Sequence, residues 1–146
     1  MIEVAEYLRK MGIQPTVQRV AIAEYLMEQR THPSADEVYV ELHPFMRTLS
    51  KATVYNTLNL FHRKNIVNIV VTDDGDRHFD STTTPHAHIV CPICRKVMDI
   101  SLDENEYKAL EKVAQRAESE WFTLVMRKCC QDCKDSNEES TQTSQI

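Results

Sequence analysis

Residues 86–99, HAHIVCPICRKVMD, constrain this chain more than any other stretch. The alternation His86, Ala87, His88, Ile89, Val90 reads as a strand, on which residues two apart share a face at a spacing of about 7 Å. Both imidazoles therefore lean toward one point. Cys91 has the opposite parity and leaves on the other face. Pro92-Ile93, inside Cys91-x-x-Cys94, forces a turn before the chain returns from Lys96 to Ile100. If that turn closes a hairpin, the residue facing His88 falls between 97 and 99, which makes Asp99 a carboxylate partner for the histidines. The stretch is read as the junction of two metal sites, one free of sulfur and one built from it.

The cysteines have a counterpart in Cys130-x-x-Cys133. Two such pairs make a four-thiolate set, and Zn(II) is the usual occupant of a closed tetrahedral sulfur site. Their separation exceeds zinc-ribbon spacing, so a strand and a helix must fit between them. Disulfides are the competing use of these residues. The chain begins without a secretory pattern, and a cytoplasmic location with reduced thiols is expected. Cys129 is the odd fifth cysteine, either replacing Cys130 as a ligand or remaining a free thiol.

No apolar run is long enough to suggest a membrane span, and 42% apolar content over 146 residues allows one domain or two small ones. The net charge of −5 hides an asymmetry. Residues 1–70 carry 8 Lys and Arg against 7 Asp and Glu, whereas residues 71–146 carry 9 against 15. Only the first half is electrostatically fit to approach phosphate.

In that half, Val4, Leu8 and Met11 share a helical face that Gly12 ends. Thr16 caps a second helix with Ile22, Tyr25 and Leu26 inward and Arg19 in its first turn. Ser34-Ala35-Asp36-Glu37 has the form of a capping box and opens a third helix, with His32-Pro33 on the loop before it. Ser50 caps a fourth, whose core face is Val54, Leu58 and Phe61. Lys51, Tyr55, Asn59 and Arg63 recur every four residues on another face, beside Asn56. Such a stripe is by spacing alone a solvated surface. An aromatic among donors, braced by a preceding helix, gives it the layout of a recognition helix.

Ile66 to Val71 alternates, Asp73-Asp74-Gly75 is a hairpin turn, and Asp76 to Asp80 returns. Helices followed by a hairpin predict a winged helix-turn-helix over residues 1–81. Residues 82–85 form a hinge, and 86–134 a small C-terminal α/β domain for dimerisation and metal binding, giving an α+β fold overall. In that domain Ser101-Leu102-Asp103-Glu104 resembles a capping box, Leu110, Val113, Ala114 and Ala117 form an apolar stripe, and Trp121 to Met126 reads as a partly buried strand. Its sheet edge suits pairing with a second copy. Residues 135–146 are polar and predicted disordered.

These residues resemble a family. HPSADEVY at 32–39, SKATVYNTL at 50–58, RHFD at 77–80 and the H-x-H-x-x-C-x-x-C string ending at Asp99 are similar to the ferric uptake regulators, metal-dependent bacterial repressors, over about residues 1–134. Asp99 stands where iron-uptake regulators usually carry Glu, and Asn56 where many relatives have Arg, which places the resemblance nearest the peroxide-stress subgroup.

The resemblance implies a non-enzymatic homodimer that binds double-stranded operator DNA through Arg19, Lys51, Tyr55, Asn56, Asn59 and Arg63. It implies structural Zn(II) on Cys91, Cys94, Cys130 and Cys133, and regulatory Fe(II) or Mn(II) on His32, Asp80, His86, His88 and Asp99. Nitrogen and oxygen donors suit Fe(II) or Mn(II), and thiolates hold Zn(II). By themselves His32 would read as a loop residue, Asp80 and Asp99 as solvated carboxylates, and His43, His62 and His78 as surface or core residues. Two departures matter: Gln14-Pro15 replaces the usual Arg before the second helix, and EWFTLVMRKCC lacks the His and Glu of a third metal site, which is expected to be absent. Sensing of hydrogen peroxide by oxidation of a histidine ligand is the expected function, with sensing of iron, manganese or zinc concentration as the alternative. A mononuclear metal oxygenase leaves the helix from Ser50 without a purpose, and a zinc-stabilised interaction module leaves Tyr55 without one.

Overall fold

The computed structural model describes residues 3–142, with side chains as far as Asn137, and the chain divides into two compact units, 1–83 and 84–146. The first is a winged helix-turn-helix. Its helices are α1 (Val4–Lys10), α2 (Val17–Gln29), α3 (Ala35–Leu42) and α4 (Lys51–Arg63), followed by the antiparallel wing β1 (Asn68–Val71) and β2 (Arg77–Asp80).

Each helix begins where a side chain can take an orphan backbone N–H. The hydroxyl of Thr16 accepts from Arg19, that of Ser50 from Thr53, and Ser34 with Glu37 forms a full capping box. Gly12 follows α1 at φ 73°, and Asn65 follows α4 at φ 56°, two residue types that tolerate the left-handed region. Leu8, Ile22, Leu26, Val38, Val54, Leu58, Phe61 and Phe79 close a core shared by all four helices and the wing.

The second unit is built differently. Its sheet has the order β4-β3-β5, with β3 (His86–Val90) between antiparallel β4 (Val97–Ser101) and parallel β5 (Val125–Arg127). Helix α5 (Glu104–Arg116) lies between β4 and β5 in sequence, and α6 (Gln131–Gln142) follows. Among its described apolar residues, Ala87, Val90, Cys91 and Cys130 are buried, whereas Ile100, Val113, Trp121, Val125 and Met126 are exposed. The oily centre of this half is small.

Four sequence expectations are corrected here. The capping box of α5 is Asp103 with Glu106, not Ser101 with Glu104, because Ser101 is the last residue of β4 and cannot serve both elements. The stripe on α5 is not buried. The strand expected over 121–126 is confined to Val125–Arg127 and is exposed, since Glu118 turns the chain at φ 52° and Trp121 precedes the pairing with β3. Residues 135–146, expected to be disordered, continue α6 to Gln142, with Gln131 to Asp135 and Ser136 to Asp132 bonds one helical turn apart. Residues 143–146 lie outside the described residues. No described helix is long and apolar enough to cross a membrane.

Candidate metal centres

The chain carries two sets of metal donors that differ in chemistry. The sulfur set stands at the far end of the β3–β4 hairpin, where the turn 92–96 brings Cys94 back beneath Cys91, and the chain after β5 adds Cys130 and Cys133. All four Sγ atoms lie within 4.8 Å of one another, and Cys94 and Cys130 are 3.6 Å apart. Zinc–sulfur bonds of about 2.3 Å place tetrahedral sulfurs about 3.8 Å from each other, so the set fits a Zn(II) ion as it stands.

Electrostatics within the set point the same way. The backbone N–H of Cys130, 3.5 Å from Cys91 Sγ, and then that of Cys94 hold the Cys91 thiol down at about 6, so it is a thiolate at neutral pH. Cys133 is pushed the other way, because its thiol donates to the Cys130 sulfur and is desolvated. Sulfurs this close cannot all ionise unless a cation sits among them. Cys129 stands outside the set. Its Sγ lies 3.6 Å from the Cys130 carbonyl, and burial raises its thiol, so the structure groups Cys130 and not Cys129 with the other three.

The sulfur-free set of the second unit sits on β3 and β4. The pairing register puts His88 directly opposite Asp99, and His86 shares the face of His88 two residues earlier. Their Nε2 atoms are 3.0 Å apart, and Asp99 Oδ1 lies 3.7 Å from each. His86 Nδ1 donates to the Thr84 carbonyl at 2.7 Å. A carbonyl only accepts, so the proton is on Nδ1 and the lone pair of Nε2 is presented to His88. With metal–nitrogen bonds of about 2.1 Å, a 3.0 Å separation subtends about 90° at an ion. Two histidines and one carboxylate gathered on one face are the donor types of open Fe(II) sites. His88 is buried, while the Asp99 side chain is 34% exposed and opens the site to solvent.

Within the first unit His32 Nε2 and Asp80 Oδ1 are 3.8 Å apart, both side chains buried. Asp80 ends β2, and its Oδ1 accepts from the Thr82 N–H at 2.9 Å. The loop of His32 is tied to the same strand: Phe79 N–H donates to the Pro33 carbonyl at 2.9 Å, and Ser34 bridges to His78. His43 and His62 take structural roles, each with Nδ1 3.2 Å from a backbone carbonyl, those of Leu49 and Val67.

On α4, Lys51, Tyr55, Asn56 and Arg63 are exposed and Asn59 is half-buried. The Lys51 ammonium stands 3.4 Å from Asp36 and over the Tyr39 ring, which braces it from α3. The Arg19 guanidinium is turned back onto the Gln14 carbonyl at 3.1 Å.

Comparison with known proteins gives the following. A profile of the ferric uptake regulator family matches residues 10–127. The peroxide-responsive repressor PerR of Staphylococcus aureus strain Mu50 is 36% identical over 129 residues, 88% of this chain and 87% of that protein. Among solved structures, the ferric uptake regulator of Pseudomonas aeruginosa with manganese has a TM-score of 0.69 at 28% identity, covering 90% of this chain and 99% of that one. The ferric uptake regulator of Vibrio cholerae, whose structure is described as revealing rearrangement of the DNA-binding domains, has a TM-score of 0.67 at 28% identity, covering 86% and 98%.

Proposed function

The chain belongs to the ferric uptake regulator family of metal-responsive transcription regulators, and from that premise we propose that it is a homodimeric, metal-dependent repressor that senses hydrogen peroxide. The observation that carries the reading is the segregation of donors along β3. Imidazoles and a carboxylate gather on one face, and four thiols gather past its end. One chain thus offers Zn(II) a closed site of sulfur and offers Fe(II) or Mn(II) an open site without it.

In this reading one regulatory ion takes His86, His88 and Asp99 from the second unit and His32 and Asp80 from the first. Residues 82–85 are the hinge that lets the two sets meet. The ion then stabilises one orientation of the DNA-binding units, by the difference between its affinities for the closed and open arrangements. The α4 residues Lys51, Tyr55, Asn56, Asn59 and Arg63, with Arg19 at the backbone, contact operator DNA. The exposed apolar residues of α5 and β5 are covered by a second copy.

Bound Fe(II) supplies the electrons that turn hydrogen peroxide into an oxidant of a neighbouring imidazole. The chain's part is to hold His32 and His86 beside that ion and, through the exposed side of Asp99, to admit a small oxidant. The protein is loaded with Fe(II) or with Mn(II), treated with peroxide and mapped by mass spectrometry. One added oxygen on His32 or His86 is expected in the iron form alone; an unmodified iron form removes the sensing mechanism.

The competing reading within the family is a sensor of metal concentration. The two separate at Asp99, whose short arm keeps its carboxylate 3.7 Å from both imidazoles. Asp99→Glu pushes the oxygens one methylene further and crowds the open side. The peroxide dose that releases Fe(II)-loaded protein from DNA should rise by about tenfold, the lower end of what perturbing a metal's surroundings costs, while Mn(II)-dependent binding persists. A variant that responds to the same dose as the parent would show that Asp99 is not what separates the two readings.

A further inference from the structure

We propose that His78 is a positioning residue for the regulatory ion: its ring holds the backbone of His32 in the place from which that imidazole can ligate. The inference rests on the reading of His32 as a ligand, and it concerns a histidine that the sequence alone assigns to the surface or the core.

The geometry lies wholly within the first unit. His78 Nδ1 is 2.7 Å from the carbonyl oxygen of His32. Since the carbonyl can only accept, the ring is the tautomer with its proton on Nδ1, and it donates. One carbonyl further along, Pro33 accepts from Phe79 N–H at 2.9 Å, and Ser34 bridges antiparallel to His78. The segment 32–34 therefore runs as a short companion to β2. Pro33 has no N–H to give to such a ladder, so main-chain pairing is thin where the ligand stands, and the His78 ring adds the bond from the side.

Strand parity explains why this residue does it. His78 and Asp80 are two apart on β2 and face the same way, so a single strand presents Asp80 to the His32 imidazole at 3.8 Å and His78 to the His32 backbone. On its other side the segment enters the capping box of α3 through Ser34. The ligand is thus pinned between the wing and the helix that braces α4. Partners that orient metal ligands without touching the ion commonly contribute 10- to 100-fold to affinity.

The test uses the full chain with zinc in place and Mn(II) as the probe. His78→Ala removes the donor. His78→Asn places an amide N–H near the position of Nδ1 and restores it, and His32→Ala removes the ligand itself. Manganese dissociation constants are measured by electron paramagnetic resonance, and melting is followed in the Mn(II)-free proteins. His78→Ala is expected to weaken Mn(II) binding by about tenfold and His78→Asn to recover most of that loss, although both lose the imidazole and its packing. Equal weakening in the two variants would mean that ring packing and not the hydrogen bond matters, and the proposal would be wrong. It would also be wrong if His78→Ala bound Mn(II) like the parent while His32→Ala did not. An unaffected His32→Ala would instead overturn the ligand reading, and this inference with it.

Discussion

Replacing Cys94 with serine should abolish zinc binding and unfold the second unit while leaving the first folded. The two units hold themselves together by different means. In the first, Leu8, Ile22, Leu26, Val38, Val54, Leu58, Phe61 and Phe79 are sealed from solvent in one cluster. In the second the buried apolar residues described are Ala87, Val90, Cys91 and Cys130, two of which are metal donors, and α5 buries none. So small a unit cannot offset its chain entropy with so little apolar surface. A structural zinc is worth about 10–16 kcal/mol in small domains at neutral pH, as much as the whole stability of a typical domain. Losing one thiolate opens the tetrahedron and forfeits most of that. Metal analysis should fall from about one zinc per chain to almost none. The cooperative melting of the second unit should vanish, with the helical signal of residues 1–83 surviving. A Cys94→Ser protein that keeps its zinc and melts as before would show that sulfur is not what holds this half. Cys129→Ser, outside the set, should keep both.

Much of this arrangement was legible in the chain because strand parity is arithmetic. Residues 86 and 88 must share a face, 91 must not, and a tight turn at Pro92-Ile93 brings Asp99 opposite His88, as the pairing register has it. The N-termini of α2, α3 and α4 were legible for a similarly local reason, since Thr16, Ser34 and Ser50 each satisfy a donor three residues on. What could not be read depended on competition between neighbours or on distant pairing. Ser101 and Asp103 both head capping-box patterns, and the strand's claim on Ser101 decides between them. The helix through Gln131–Gln142 carries no apolar period, so pattern alone took it for a tail. Trp121 to Met126 looks like a buried strand because its residues are mostly apolar, but the pairing with β3 begins only at Val125, and Trp121, Val125 and Met126 are exposed. His78 meets His32 across 46 residues, and no spacing rule marks it.

The second large effect is expected at His88. It sits on the central strand, with Asp99 opposite it on β4 and Val125 beside it on β5, and only 2% of it is exposed. A polar ring that deep has to be matched to something, and here its Nε2 lies within 3.7 Å of Asp99 and 3.0 Å of His86 Nε2. His88→Ala takes away the most deeply buried donor of the second unit's sulfur-free set, leaving only His86 and Asp99, 3.7 Å apart. Metal affinity enters DNA affinity only through the difference between two domain arrangements. The loss should therefore fall on the metal-dependent part of binding alone, by about 100-fold, or about 2.7 kcal/mol. Binding of a promoter fragment selected by the Mn(II)-loaded parent, titrated with and without Mn(II), reads both parts. The parent should tighten when the ion is added and the variant should not, with their metal-free affinities alike and one zinc retained per chain. Retained zinc separates loss of the regulatory site from collapse of the unit that carries it. If His88→Ala still gripped the fragment more tightly on addition of Mn(II), the ion would be acting elsewhere, and the proposed link between the β3 imidazoles and the DNA-reading helix would have to be given up.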